Sequence, residues 1–118
     1  MGLFARASGL TKLAERYPAT HVPAGTFRTK QTVQIGIVRY RRCVTVGIGP
    51  EGLYLEVRPP LGRHAQLQLP WEALKPAGAA PVFGRRGMRL TLGDPQVGEI
   101  RVYRELFALI QPYLRERD

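Results

Sequence analysis

The sequence predicts a mainly β domain in which about seven short strands form a curled antiparallel sheet or a partly open barrel, with an amphipathic helix at each end. From residue 26 onward, short stretches with a two-residue hydrophobic period alternate with turn residues. Near both termini, apolar residues recur instead at spacings of three and four, as on one face of a helix. The 118 residues suffice for one hydrophobic core, which indicates a single domain.

The N-terminal segment, residues 1–18, is predicted to be an amphipathic helix that Gly9 weakens. Its apolar residues are Leu3, Phe4, Ala7, Leu10, Leu13, Ala14 and Tyr17. Residues 19–25 form a linker, because they contain Pro23 and Gly25, and residues 26–118 form the β domain. The apolar face of this helix needs a partner, for which this domain, a second copy in a homodimer and a membrane interface are the alternatives.

Seven segments are predicted as strands. They are "TFRTK" (26–30), "VQIGIVRYR" (33–41), "CVTVGI" (43–48), "GLYLEV" (52–57), "AQLQLP" (65–70), "MRLTL" (88–92) and "EIRVY" (99–103). The sequence "GPEG" (49–52) is typical of a hairpin turn, and "RPPLG" (58–62) indicates a longer connection. "KPAGAAP" (75–81) is predicted to be an exposed loop because of its proline and glycine content.

The C-terminal segment, residues 103–118, is predicted to be a helix that caps the open end of the barrel. Its apolar stripe contains Leu106, Phe107 and Ile110, which we expect in the core. Pro112 has no amide proton and crowds the carbonyl group four residues earlier, so a kink or a break is expected there.

The stretch "LQLPWEAL" (67–74) predicts a structural corner. Strand alternation stops at Pro70, and Trp71 and Leu74 are then expected to face the core. An exposed Trp71 could instead stack on the bases of single-stranded nucleic acid. Burial is favoured, because an aromatic residue directly after a strand-ending proline more often anchors a core.

The charge is unusual, since 18 Lys and Arg residues against 9 Asp and Glu residues give a net charge of +9. Residues 1–50 contain eight of the basic residues and a single acidic one, Glu15. This asymmetry favours an anionic partner, although a basic surface can also serve solubility alone.

Two arginine clusters supply the candidate anion-binding residues. "RYRRC" (39–43) and "GRRGMR" (84–89) contribute Arg39, Arg41, Arg42, Arg85 and Arg86. Arginine suits bidentate contacts with phosphate. On a regular strand, Tyr40 would face away from Arg39 and Arg41 and would share a face with Arg42, as at a sheet edge protected by charge.

Residues that could support catalysis are few, and we predict no enzyme, no metal site and no cofactor. His21 and His64 lie in loops without an adjacent carboxylate or thiol, and the only serine, Ser8, lies on the first helix. Cys43 opens a strand and is expected to be a small core residue, and Asp94 is typical of a turn. A single cysteine allows no internal disulfide, which is compatible with the cytoplasm.

Three motifs together resemble the pleckstrin-homology (PH) superfold in its bacterial and GRAM-like versions. They are "GPEGLYLEV" (49–57), the strand that ends in "LPWEAL" (69–74), and "MRLTL" (88–92) followed by a terminal helix. "LAERYPA" (13–19) is also similar to a group of small bacterial proteins. The resemblance implies a PH-like barrel that binds lipid, peptide or protein, since one scaffold serves all of these ligands.

"RYRRC" (39–43) before "GIGPEGLYLEV" (47–57) is similar to a second family, the PilZ domains, which grip cyclic di-GMP with an arginine-rich stretch. Arg39 and Arg42 are three residues apart, whereas the arginines of that family are four apart. The Asp-x-Ser motif of the family is also absent, with Ile48, Gly49 and Pro50 in its place.

The sequence therefore predicts a non-enzymatic binding module that contacts an acidic lipid surface or an acidic protein. It would lie in the cytoplasm, or peripherally at the inner face of the membrane. A degenerate PilZ-type receptor for cyclic di-GMP and a small nucleic-acid-binding protein are the alternatives.

Overall fold

Seven antiparallel strands and two helices make up the structure, a computed structural model that describes residues 9–62 and 64–115 without the side chain of residue 115. The helices are α1 (Leu10–Arg16) and α2 (Arg104–Arg115). The strands are β1 (Thr26–Ile35), β2 (Val38–Gly49), β3 (Gly52–Val57), β4 (Ala65–Leu69), β5 (Leu74–Val82), β6 (Arg85–Leu92) and β7 (Gly98–Tyr103).

The strands form one curled sheet in the order β4-β3-β2-β1-β7-β6-β5. Two meanders, β1 to β4 and β5 to β7, are joined by antiparallel pairing of β1 with β7. The result is a half-barrel with β4 and β5 at its edges, and the predicted fold class is confirmed. Its core includes Val33, Ile35, Val44, Val46, Leu55, Leu67, Leu69, Leu90, Leu92, Ile100 and Val102.

Two predictions of individual elements were wrong, that of a single strand at 33–41 and that of a loop at 75–81. The segment 33–41 is not one strand, because Gly36 adopts a left-handed conformation with φ 60° and reverses the chain between β1 and β2. Residues 75–81, predicted to be a loop, belong to β5, which pairs with β6. Its prolines are compatible with a strand because β5 lies at the sheet edge, where an amide that points away from the sheet is not needed for a hydrogen bond between strands.

The predicted corner is confirmed. Strand β4 ends at Leu69, a single 3-10 turn spans Trp71–Ala73, and β5 begins at Leu74. The Trp71 side chain is 5 % exposed, and its Nε1 donates a 2.8 Å hydrogen bond to the carbonyl oxygen of Gly49. Burial of both Trp71 and Leu74 excludes the alternative in which Trp71 is an exposed stacking platform.

Helix α1 packs on its own domain. Leu10 and Leu13 are buried in the core of the half-barrel, and the segment after the helix hydrogen-bonds to β4 through Gln68 N–H and the Tyr17 carbonyl. The apolar face of the described part of this helix is therefore covered without a second copy or a membrane. The remainder of the predicted helix, with Leu3, Phe4, Ala7 and Ser8, lies outside the described residues.

Helix α2 buries the predicted stripe of Leu106, Phe107 and Ile110. Of the kink or break expected at Pro112, the break does not occur, since the helix continues through this residue to residue 115. Tyr113 stacks on Trp71 with ring centroids 4.9 Å apart, which ties the last turn to the corner. Residues 116–118 of the predicted helix lie outside the described part of the chain. Neither described helix is long and apolar enough to cross a membrane.

Candidate anion-binding site

A polar depression of about 610 Å³ lies where β1, β2, the turn between β5 and β6, and the start of α2 meet. We call it the basic pocket. It is lined by Lys30, Gln31, Thr32, Arg41, Arg42, Phe83, Arg85, Tyr103, Glu105 and Leu106. Four cationic side chains from three strands thus face one concavity, which is the arrangement that a bound anion requires.

Two irregularities in the β1–β2 ladder bring two of these cations into the pocket. The pairing shifts register between Arg28 and Gln31 and again between Gln31 and Val33. Lys30 and Arg42 lie at these shifts with φ values of 54° and 56°. Bulges of this kind turn side chains away from regular alternation. The pocket therefore depends on departures from the strand pattern, not on the pattern itself.

The β5–β6 turn contributes a third left-handed residue, Phe83, with φ 52°. Among the described residues, Lys30, Arg42 and Phe83 are the only non-glycine residues with positive φ, and all three line the basic pocket. A left-handed backbone is unfavourable for side chains that carry a Cβ atom. Strained residues of this kind occur most often at functional sites, where the surrounding structure holds them in place.

Aromatic rings orient the arginines around the pocket. The Arg39 and Arg41 Cζ atoms lie 4.8 Å and 5.4 Å from the centroid of the Phe83 ring. The Arg85 Cζ atom lies 4.0 Å from the centroid of Tyr103. These distances are within the range of cation–π attraction. Two of these guanidinium groups also donate hydrogen bonds within the protein, Arg39 Nε to Gln34 Oε1 and Arg85 Nη2 to the Glu105 carboxylate.

One carboxylate belongs to the pocket, that of Glu105 in the first turn of α2. Its Oε2 lies 3.1 Å from Nη2 of Arg85. A hydrogen bond from its own backbone N–H, followed by the positive charges of Arg85 and Arg104, holds the pKa of the Glu105 carboxyl below its ordinary value. In the part of the chain that the structure describes, no carboxylate lies within ion-pairing distance of Lys30, Arg39, Arg41 or Arg42.

The five predicted arginines are only partly brought together. Arg41, Arg42 and Arg85 line the basic pocket, and Arg39 reaches its rim through Phe83. Arg86 instead lies on the far side of the β5–β6 turn, beside Arg104.

Sequence reasoning missed Lys30, because nothing in "TFRTK" marks the bulge that turns this residue into the pocket. The expectation that Tyr40 and Arg42 share a protected sheet edge was also wrong. Tyr40 is buried, Arg42 is exposed at a bulge, and β2 lies in the interior of the sheet.

The other candidate residues that the structure describes do not cluster into a second site. His21 Nε2 lies 3.0 Å from Glu51 Oε1, a carboxylate that the sequence did not place beside it, but both side chains are exposed. The described residues contain no cluster of three or more potential metal ligands. Cys43 packs against the core, and burial raises the pKa of its thiol above the ordinary value. His64 and Asp94 are exposed outside the strands.

The chain matches no protein-family model, and no significantly similar protein was found among characterised proteins or among solved structures.

Proposed function

We propose that this protein is a non-enzymatic binding module that docks on anionic membranes and receives a lipid phosphate in the basic pocket. The observation that carries the proposal is the convergence of Lys30, Arg41, Arg42 and Arg85 on one concavity. Four cations against the single carboxylate of Glu105 leave a net positive charge there. Phosphate suits this lining, because one arginine guanidinium group can donate two parallel hydrogen bonds to two phosphate oxygens.

The rim of the pocket supports a lipid surface as the source of the phosphate. Phe83 is 38 % exposed at the β5–β6 turn, among the arginines. An apolar aromatic side chain flanked by cations suits the boundary between headgroups and hydrocarbon, where such side chains insert and basic residues contact phosphates. The module would then lie at the inner face of the membrane, peripherally.

Nucleic acid is less well supported by the same contacts. Proteins that bind single strands stack bases on free aromatic faces. Arg39 and Arg41 lie over Phe83, Arg85 lies over Tyr103, and Trp71 is buried. A base would therefore have to displace an arginine in order to stack.

The resemblance to PH-like barrels belongs to this proposal. A seven-stranded antiparallel half-barrel with a C-terminal helix is the arrangement that the resemblance implies, and it supports a scaffold for ligands instead of a catalytic centre.

Vesicle co-sedimentation tests the proposal. The protein is incubated with vesicles of phosphatidylcholine alone and of phosphatidylcholine mixed with phosphatidylglycerol, at low and at physiological salt. We expect binding to the mixed vesicles only, weakened by salt because exposed charges are screened. Each basic residue near an acidic surface contributes about 1 kcal/mol, so the double variant Arg41→Glu, Arg42→Glu should bind roughly thirtyfold more weakly or worse.

The matched control reverses two exposed lysines remote from the pocket, Lys12→Glu and Lys75→Glu, and has the same net charge. Equal losses in the two variants would show that the attraction is diffuse and would overturn the pocket as the binding site. Parallel titrations with polyglutamate, duplex DNA and cyclic di-GMP separate the alternatives. Tight binding to one of these without vesicle binding would replace the lipid with that partner.

A further inference from the structure

A second depression lies on the other side of the β5–β6 turn and differs in chemistry. It has a volume of about 540 Å³ and runs between the β5–β6 hairpin and α2. We call it the apolar groove. Its floor consists of small or flexible apolar side chains, and arginines stand at its rim. The lining includes Ala79, Ala80, Pro81, Met88, Phe107, Arg86 and Arg104.

The apolar groove and the basic pocket are contiguous. Arg85 lines both of them, while Phe83 belongs to the basic pocket and Gly84 to the apolar groove. Only the two-residue turn between β5 and β6 therefore separates a site for an anion from a surface for hydrocarbon. One ligand with both kinds of group could occupy the two depressions together.

The groove is also accessible from the side. Strand β5 is an edge of the sheet, so no further strand covers it among the described residues. Ala79 is exposed and Ala80 half-buried, and neither has side-chain atoms beyond Cβ that could close the floor. Met88, which is half-buried opposite Ala79, can adjust its shape to an apolar guest.

Charge decides which guest is favoured. In the described part of the chain, no carboxylate lies within ion-pairing distance of Arg86 or Arg104. An uncharged apolar ligand gains nothing from these cations, whereas an anionic amphiphile whose chain lies in the groove is attracted by them at longer range as well as by the basic pocket.

We propose that the apolar groove receives one acyl chain of the same acidic phospholipid whose phosphate binds the basic pocket. This inference rests on the proposed function, and it makes the protein a receptor for a whole lipid molecule, with part of one chain drawn out of the bilayer.

The test uses soluble ligands below their micelle concentration: glycerophosphoglycerol as the headgroup alone, then dibutyryl and dihexanoyl phosphatidylglycerol, with dihexanoyl phosphatidylcholine as the zwitterionic comparison. Affinities are measured by calorimetry, and the methyl resonances of Ala79 and Ala80 are followed by NMR. We expect weak binding of the headgroup and an affinity that rises up to about fourfold per buried methylene. The two alanine methyl resonances should shift only with the lipids that carry chains.

The variant Ala79→Trp fills the groove, and Ala77→Trp is its control on the same strand outside the groove lining. Ala79→Trp should abolish the dependence on chain length and retain headgroup binding, whereas Ala77→Trp should change neither. If Ala79→Trp does not fold, the chain-length series and the methyl shifts of the wild-type protein still decide the matter.

The possible failures are distinguishable. Headgroup binding without any gain from the chains would overturn the acyl-chain site and leave the proposed function intact. Absence of binding by every anionic ligand would overturn both proposals. Equal affinity for dihexanoyl phosphatidylcholine would remove the role of charge and overturn the inference. If the wild-type protein self-associates and Ala79→Trp abolishes this, a second copy of the chain occupies the groove, and the inference is also overturned.

Discussion

Glu105 holds Arg85 through a 3.1 Å ion pair at the point where the basic pocket and the apolar groove meet. Both side chains are more than half exposed, so the pair contributes little to folding. Its importance is local, because it places the pocket's one negative charge beside the phosphate that we propose as ligand.

Replacement of Glu105 by Gln should therefore tighten binding to phosphatidylglycerol vesicles. The carboxylate repels the incoming phosphate and competes for Arg85, and its removal should raise the affinity about twofold to fivefold, the size expected for an exposed charge pair. The melting temperature should hardly change. Glu15→Gln on α1 removes the same charge far from the pocket and should leave the affinity as it is. If Glu105→Gln instead binds these vesicles more weakly than the wild-type protein, Glu105 positions Arg85 for binding and the predicted repulsion is refuted.

Vesicle binding should also depend on pH through the same group. The pKa of Glu105 is lowered, so the carboxylate stays ionised until the pH falls below the ordinary range for glutamate. As the pH falls through that lowered pKa, protonation removes the repulsion, and wild-type affinity should rise toward that of Glu105→Gln. The ratio of the two affinities, measured on vesicles whose phosphate stays ionised, should approach one at the acidic end. A ratio that does not vary with pH contradicts this assignment.

Strain at Arg42 predicts that replacements by Gly and by Ala will differ in their effect on stability but not in their effect on binding. Glycine tolerates the φ of 56° at this position, whereas alanine does not. Arg42→Gly should therefore be more stable than Arg42→Ala by about 0.5–1 kcal/mol in urea unfolding, after the entropy that glycine loses on folding is counted. Both variants should bind acidic vesicles equally weakly, because both lack the guanidinium group. Greater stability of the alanine variant would contradict the strained backbone.

Trp71 should behave as a core residue. Its replacement by Ala removes the stack on Tyr113 and the hydrogen bond to Gly49, and should cost roughly 3–5 kcal/mol of unfolding free energy. Wild-type tryptophan fluorescence should be blue-shifted and poorly quenched by iodide. Trp71→Phe, which can retain a stack but not the hydrogen bond, should lose less stability. Ready quenching by iodide, together with little loss of stability in Trp71→Ala, would contradict burial and indicate that Trp71 is exposed.

Helix α2 should be indispensable for folding. Ile110 is fully buried, and Ile110→Ala should cost roughly 2–5 kcal/mol. Its neighbour Leu109 is 37 % exposed and supplies the control, since Leu109→Ala should change stability by no more than about 0.5 kcal/mol. Removal of residues 104–118 should abolish cooperative unfolding, and an unchanged melting transition in that truncated protein would refute the capping role.

The outcomes for individual elements show where prediction from sequence succeeds. Leu106, Phe107 and Ile110 were placed correctly in the core, because their spacing puts them on one apolar face of a helix and such a face packs against the core. Strand β5 was missed, because Pro76 and Gly78 are unfavourable in an average strand and acceptable only at an edge. Which strand lies at the edge depends on the pairing of all seven strands, and the sequence of residues 75–81 alone does not determine that pairing.

Local chemistry in the sequence determined the fold class, the hairpin turn at 49–52, the corner at Trp71 and the excess of positive charge. Only the tertiary structure decided which of those charges meet. Lys30, Arg42 and Arg85 come from three strands, and they face one pocket because two register shifts and a left-handed turn redirect the chain. Pairing between distant strands stabilises these irregularities, so a pattern that repeats over two or four residues cannot reveal them.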